Sequence, residues 1–354
     1  MKKILIYILI LLNVVVLIGC QQEVEEIETR TVIDCLGRSV EIPLEINKVG
    51  AIYAISGHTS VLLGEGGKIV SVTSGLKRDF LLTQMVPSIL EATEPKNGGS
   101  INIEELLKDK PDVIFINTDI ALNERETDKL DKFNIPYLAI TFDSIEEQQY
   151  MVKMIGLVYH QEEKAQLYID YYNEMVNKIE NRTKDIDEKI TVFHSINEAT
   201  RTDPKGSMPE EWFTKAGFDL VSTQGDLKFI SNDYYASLEQ ILAWDPEVIF
   251  VNENGVDDYI LKDSKWQALK AVHTNQVYML PVGITRWGHP NSLEIPLVML
   301  YTSKMMYPDL FEDMDLENEM KYFYKTFFDL EVTDEMIKEI LDGDGMRIRK
   351  DDRK

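Results

Sequence analysis

Residues 102–117 read NIEELLKDKPDVIFIN, and residues 237–252 read SLEQILAWDPEVIFVN. The two stretches align at a constant offset of 135 with no gap. Seven of the sixteen positions are identical: Glu104/Glu239, Leu107/Leu242, Pro111/Pro246, Val113/Val248, Ile114/Ile249, Phe115/Phe250 and Asn117/Asn252. Each copy reads as a short amphipathic helix, a proline–acid turn and an apolar run ending in Asn. Such a run suits a strand buried on both faces, as in a parallel sheet. Two copies this far apart imply two similar α/β lobes, and a cleft between lobes is where small ligands bind.

The start of the chain carries a second signal. Met1-Lys2-Lys3 is a basic tip, residues 4–18 are apolar except Asn13, and Leu17-Ile18-Gly19-Cys20 follows. A charged tip, a short apolar core and a small residue before the cut read as an export signal over 1–19, not as a stable span. A cysteine directly after small and aliphatic residues resembles the lipobox of bacterial lipoproteins. That resemblance implies cleavage before Cys20, lipidation of its sulfur, and a chain held on the extracytoplasmic face of the cell membrane. Two acyl chains anchor stably where one is marginal. Residues 20–31 are polar and acidic and are expected to be a tether.

Composition agrees with export. The net charge of the 354 residues is −24, and loss of the signal removes two lysines and no acid. Such a surface argues against nucleic acid and against electrostatic docking on anionic lipid. An anionic ligand needs a local basic pocket against this field. The chain has two cysteines. With Cys20 in the anchor, Cys35 has no intramolecular partner, and the fold must rest on its core. The length is ample for two domains.

Along the chain, residues 32–43 (VIDCLGRSVEIP) read as a hairpin. Residues 48–53, 69–72, 113–117, 135–140, 189–193 and 277–280 read as strands separated by helical segments, the pattern of a parallel sheet. Residues 145–182 carry no strand signal. Met151, Met154, Ile155 and Val158 fall at helical spacing, and Tyr168, Tyr171, Tyr172, Met175, Val176 and Ile179 do so again. The register changes at Tyr159-His160, so a short helix is expected before a long one. The expected organisation is an N-terminal lobe over 32–143, linking helices over 144–182 and a C-terminal lobe with an acidic helical tail over 183–354. The charged end, 346–354, is expected to fray.

Several of these stretches together resemble one group of ABC-importer binding proteins. They are DCLGRSVEIP, the two repeat copies, Trp266 with VYMLP, and RWGHPNSLEIP followed by LYTSKMMYPDLF. The group comprises lipoproteins that carry iron–siderophore complexes, haem, cobalamin and a few other metal chelates or oxyanions. The resemblance covers residues 31–312. It implies the class III solute-binding fold: two Rossmann-like α/β lobes with mostly parallel sheets, joined by one long helix that permits small closure. It also implies a membrane permease as partner, with Glu104 and Glu239, one per lobe, docking on permease arginines. Two carboxylates let a permease sense lobe spacing, and Arg captures carboxylates bidentately. Each Glu also favours the N-terminus of its own helix.

In this architecture the ligand lies among strand-end loops: Tyr53–His58, Thr73–Asp79 and Asn117–Ile120 on one lobe, and His194–Asp203, Asn252–Asp258 and Val282–Asn291 on the other. Lys77, Arg78, Arg201 and Arg286 concentrate there, beside Tyr53 and Trp287. Guanidinium pairs with carboxylate or phosphate, and aromatic faces stack on ring ligands. His289, in Trp287-Gly288-His289-Pro290-Asn291, offers a neutral nitrogen to a metal or caps its own loop. His194 points to the same cleft or is a satisfied strand-end histidine. His58 reads as a helix start. None of the five histidines pair at metal-site spacing, which disfavours a three-histidine site for a bare ion. The expected ligand is therefore an iron chelate that brings its own ligands, with cobalamin, a nickel chelate or a molybdate-like oxyanion as alternatives. No intrinsic cofactor is expected, and the protein is expected to be a monomer. Catalytic motifs such as Gly-x-Ser-x-Gly, Gly-x-Gly-x-x-Gly and the phosphate loop are absent. An exported metal-dependent enzyme and a surface adhesin are the distant alternatives.

Overall fold

The structure is a computed structural model of the chain and describes residues 28–343 and 346–348. The expected export signal over 1–19 and Cys20 lie outside the described residues. Two four-stranded sheets form the framework. The first contains β1 (Val49–Ala51), β2 (Ile69–Val72), β3 (Val113–Asn117) and β4 (Tyr137–Ile140), in the order β2-β1-β3-β4. The second contains β5 (Ile190–Ser195), β6 (Phe218–Leu220), β7 (Val248–Val251) and β8 (Val277–Met279), in the order β6-β5-β7-β8. Every pairing in both sheets is parallel. The two lobes thus share one strand order, and the repeated VIF strands, β3 and β7, occupy the same inner place in each. Both are buried on both faces, which is why their sequences are continuously apolar rather than alternating.

The helices before these strands keep the repeat in their backbones. Ile103–Asp109 is capped by Asn102, whose side chain accepts from the Glu104 and Glu105 amides. Leu238–Trp244 is capped by Ser237 and Gln240, which bond each other's backbone amides reciprocally. Both helices end in a left-handed residue, Lys110 (φ 48°) and Asp245 (φ 43°), at the same offset. A non-glycine residue is uncommon there, so the shared turn geometry is a strong sign of common design. Glu104 and Glu239 are exposed in the first turns of these two helices.

The lobes are joined by Ile145–Tyr159 and Glu162–Thr183, broken at left-handed His160 (φ 56°). The second helix has 22 residues, about 33 Å of rise. The linkers are bonded into the second lobe: Gln148 Nε2 donates to Ser292 O at 3.0 Å, and Tyr168 Oη to Leu293 O at 2.7 Å. Among the described residues no helix is long and apolar enough to cross a membrane.

Two expectations change. The opening hairpin pairs Thr29–Ile33 with Ser39–Pro43, so residues 29–31 belong to a strand rather than to the tether. Arg30 is fixed there, donating to Val158 O at 2.7 Å. Its Thr-Arg-Thr sequence hides an edge strand because one face meets water. At the other end, residues 346–348 are not frayed. Met346 is buried, and Phe80 N donates to Met346 O at 3.1 Å.

Candidate functional site

The C-terminal ends of the strands face the space between the lobes, the usual ligand position in parallel α/β sheets. Two adjoining cavities occupy it. The larger, about 340 Å³, is lined by Tyr53, Phe142 and Asp143 from the first lobe and by Arg201, Asp203, Asn232, Asp233, Tyr234, His289 and Asn291 from the second. The smaller, about 130 Å³, is lined by Ala54, His58 and Asp79 of the first lobe, Thr285, Arg286, His289 and Asn291 of the second, and Arg347 of the tail. His289 and Asn291 line both.

Two hydrogen bonds close the lobes over this space. Tyr53 Oη donates to Asn291 Oδ1 at 2.8 Å, and Asn232 Nδ2 donates to Asp119 Oδ2 at 3.0 Å. Burial pushes the Tyr53 phenol up to about 12, so it stays a donor. Asn232 sits at the tip of a hairpin, Lys228–Ile230 with Asp233–Tyr235, turned by Ser231 (φ 52°) and Asn232 (φ 68°). Two adjacent positive φ values are what a two-residue hairpin turn requires.

The loop from Val282 to Ser292 carries most of the polar groups, and a buried carboxylate organises it. Glu294 accepts from Ile284 N at 3.1 Å, Thr285 N at 2.6 Å and Tyr324 Oη at 2.5 Å, and also from the Thr285 hydroxyl. Burial raises its pKa, and these donors oppose the shift. Gly283 is needed there, because a Cβ would collide with the Glu294 carboxylate and the Tyr324 hydroxyl. Tyr324 belongs to the tail helix Leu316–Phe328, so the tail supports the site from behind.

On this loop Arg286 lines the smaller cavity and pairs with Glu253 at 2.5 Å. It also donates to Asn197 Oδ1. Burial lowers its pKa to about 10, with Glu253 acting in the opposite sense and Arg78 and Arg201 adding to the fall, so it is charged at neutral pH. His289 Nδ1 accepts from Asn291 N at 3.1 Å. Burial, then the charges of Arg286 and Arg201, hold its pKa well below the ordinary value. The ring is neutral with its proton on Nε2, a donor rather than a bare metal ligand. Arg201 lines the larger cavity and pairs with Asp233 at 2.5 Å.

Tyr53, Arg201, Arg286 and His289 are thus brought together. Three other expected residues are placed differently. The Trp287 ring is fully buried against Tyr301 and lines neither cavity, because the loop turns it into the core. His194 is also fully buried: Nδ1 meets Asp203 Oδ2 at 2.6 Å, Nε2 meets Asn252 Nδ2 at 3.3 Å, and Phe213 packs on the ring. Both nitrogens are engaged, leaving none for a ligand. Arg78 lines neither cavity and donates to Ile348 O at 3.4 Å. Among the described residues no group of three or more His, Cys, Asp or Glu is placed to hold a metal ion.

Sequence reasoning missed several groups. His58 is buried and bonded through Nε2 to Asp79 Oδ2 at 2.9 Å, and burial lowers its pKa to about 3. Asn291 fell within an expected ligand loop without being given a role, and Glu294 was not singled out. An acid directly before a helix of buried residues was the available signal. Arg347 carried none.

Residues 52–282 match the periplasmic binding protein family. The chain belongs to that family. Two curated relatives span nearly the whole of it. The molybdate-binding protein MolA of Haemophilus influenzae is 25% identical over 325 residues, 84% of this chain and 91% of the relative. The iron-uptake system-binding protein of Bacillus subtilis is 26% identical over 316 residues, 81% of this chain and 95% of the relative. The solved structure of MolA bound to molybdate superposes with a TM-score of 0.77 at 23% identity, covering 86% of this chain and 99% of that one. The two-lobed, class III architecture is shared. The protein is a binding protein of that family rather than an enzyme.

Proposed function

We propose that the solute is a compact anionic metal species, a metal oxyanion of the molybdate type. The observation that carries this reading is the cluster of guanidinium groups, Arg201, Arg286 and Arg347, on two small adjoining cavities. Each guanidinium already meets one carboxylate: Asp233, Glu253 and Asp79. A guanidinium has five N–H donors, more than one carboxylate can use. The Nε2 proton of His289 adds a donor. Paired arginines keep the empty site tolerable in a strongly acidic protein and still leave donors for an oxyanion. The molybdate-binding relative supports the same chemistry.

The second reading is an iron complex, favoured by the Bacillus subtilis relative. A siderophore, haem or corrinoid needs the lobes to part beyond the Tyr53–Asn291 and Asp119–Asn232 bonds. Delivery to the permease is assigned to Glu104 and Glu239, exposed on equivalent helices of the two lobes. Anchoring on the extracytoplasmic face of the membrane is assigned to a lipid on Cys20.

The test is calorimetric titration of the purified protein with molybdate, tungstate, sulfate, ferric siderophores, haem, cobalamin and nickel–histidine. Molybdate or tungstate should bind tightest. Arg286→Ala and Arg201→Ala should each weaken that binding by about 1.5–3 kcal/mol, roughly tenfold to a hundredfold. Tight binding of haem or a siderophore without oxyanion binding would replace this reading with the second.

A further inference from the structure

The last described residues cross from one lobe to the other. The C-terminal helix Asp334–Asp342 is bonded to the second lobe, where Val282 N donates to Ile340 O at 2.9 Å. Residues 346–348 lie instead along the first lobe. Phe80 N donates to Met346 O at 3.1 Å, and Ile348 N donates to Arg78 O at 3.1 Å. Asp79 and Arg347 face each other as an antiparallel bridge between these two bonds. Met346 is buried at 2% exposure, so the segment is packed as well as paired.

The side chains follow the backbone into the site. The Arg347 guanidinium pairs with Asp79, which also accepts from His58 at 2.9 Å, and all three residues line the smaller cavity opposite Arg286. His58 and Asp79 are almost wholly buried, and His58 Nδ1 has no hydrogen-bond partner. A buried carboxylate needs a charged partner, and neutral His58 does not supply one. The first lobe therefore depends on a cation delivered from the far end of the chain.

We propose that the C-terminal segment is a working part of the binding site: Arg347 contacts the bound oxyanion and completes the smaller cavity as its subsite, while residues 346–348 clasp the lobes around it. This rests on the oxyanion reading above. The subsite then has a guanidinium from each side, Arg286 from the second lobe's loop and Arg347 held against the first lobe. Two cations facing each other across an empty cavity repel, and an anion between them relieves that repulsion. Binding and clasping therefore favour each other, and loss of either arginine removes donors from the closed, liganded form and lowers the apparent affinity.

The experiment uses the full mature chain with molybdate as probe. Arg347→Ala, and a chain ending at Gly343, should each lose about tenfold to a hundredfold in affinity. Arg347→Lys should fall between, because it keeps the charge and loses the fork. The decisive variant is Asp79→Asn with Arg347→Ala. If Arg347 only neutralises Asp79, the double variant regains wild-type affinity, and the proposal fails. If Arg347 contacts the ligand, the double variant folds with a normal melting temperature and stays weak. Wild-type affinity in the truncated chain also overturns the proposal while leaving the oxyanion reading intact. Failure of the wild-type protein to bind molybdate or tungstate at all overturns that reading and the subsite with it. Amide hydrogen exchange at Phe80, slow in the wild type and fast in the truncated chain, reads the clasp independently of any ligand.

Discussion

The two copies of the repeat were built alike and have been used differently. Both end in an asparagine at the mouth of an inner strand. Asn252 is fully buried, holding the His194 ring at 3.3 Å and the Asn197 amide at 3.3 Å, and it stiffens the floor of the second lobe. Asn117 is half-buried and meets two charged side chains: it accepts from Lys96 at 3.1 Å and donates to Asp119 at 3.0 Å. Asp119 in turn takes the hairpin tip of the other lobe. The second lobe also supplies the long loop organised by Glu294, whereas the first presents Tyr53 and a buried His58–Asp79 pair. A shared scaffold fixes where strands end; the residues just beyond the ends are free to become floor in one lobe and contact surface in the other.

The largest expected effect lies in the second lobe. Glu294→Ala should cost roughly 3–4 kcal/mol, because two backbone amides and two hydroxyls lose a buried acceptor together. Denaturant midpoints measure it. Among the described residues the first lobe's strand-end loops hold no carboxylate that gathers two backbone amides as Glu294 does. Asp79→Asn, which also removes the charge that Arg347 meets, should therefore cost less, and an equal loss would break the contrast. Next comes pH. The folded-state pKa of His58, about 3, lies below the ordinary 6.5. Between those values the unfolded chain binds the extra proton, so stability is complete above about pH 6.5 and falls as the pH drops. The slope approaches about 1.4 kcal/mol per pH unit for this group. His289, shifted the same way, adds to it. His58→Gln should flatten the acid limb of a stability–pH curve; an unchanged limb would show that the first lobe's buried pair is not the acid-sensitive element.

The paired asparagines test the comparison directly. Asn252→Ala should cost about 1–2 kcal/mol, since it strands His194 Nε2 and the Asn197 amide in a dry site. Asn117→Ala should cost about half as much or less, because water can reach its partners. Equal costs in thermal unfolding would mean that the copies have not diverged. The smallest effect on the isolated protein is expected at the docking carboxylates. Glu104→Lys and Glu239→Lys should each lower the melting temperature only slightly through the helix N-terminus, with ligand affinity unchanged. Uptake through the permease should fall sharply in both, and normal uptake in the double variant would remove the docking role from these positions.

Much of the fold was legible because it is written in local periodicity. The apolar VIF runs, the proline–acid turns and the tyrosine stripe of the long helix each report their own burial. The break at Tyr159-His160 and the strands 69–72 and 113–117 were read at or near their observed ends. The edge strand at Thr29 was not, since alternating polar residues on a half-wet strand resemble a tether. The site was only partly legible. Tyr53, Arg201, Arg286 and His289 sit on strand-end loops, and topology alone predicts that such loops meet. Which way each side chain turns is a property of packing: Gly283, Glu294 and Tyr324 together set the loop, sending Trp287 into the core and Arg286 to the cavity.

What the sequence by itself determined is therefore the pair of lobes, their order of elements and the joint between them, because each of these rests on contacts between residues close in the chain. What only the tertiary structure decided is which charges meet. Arg347 lies far along the chain from Asp79 and His58, in a segment whose composition reads as a frayed end. Nothing in its local sequence reports a partner, since an ion pair of this kind forms only after both lobes and the linker have placed the two backbones side by side.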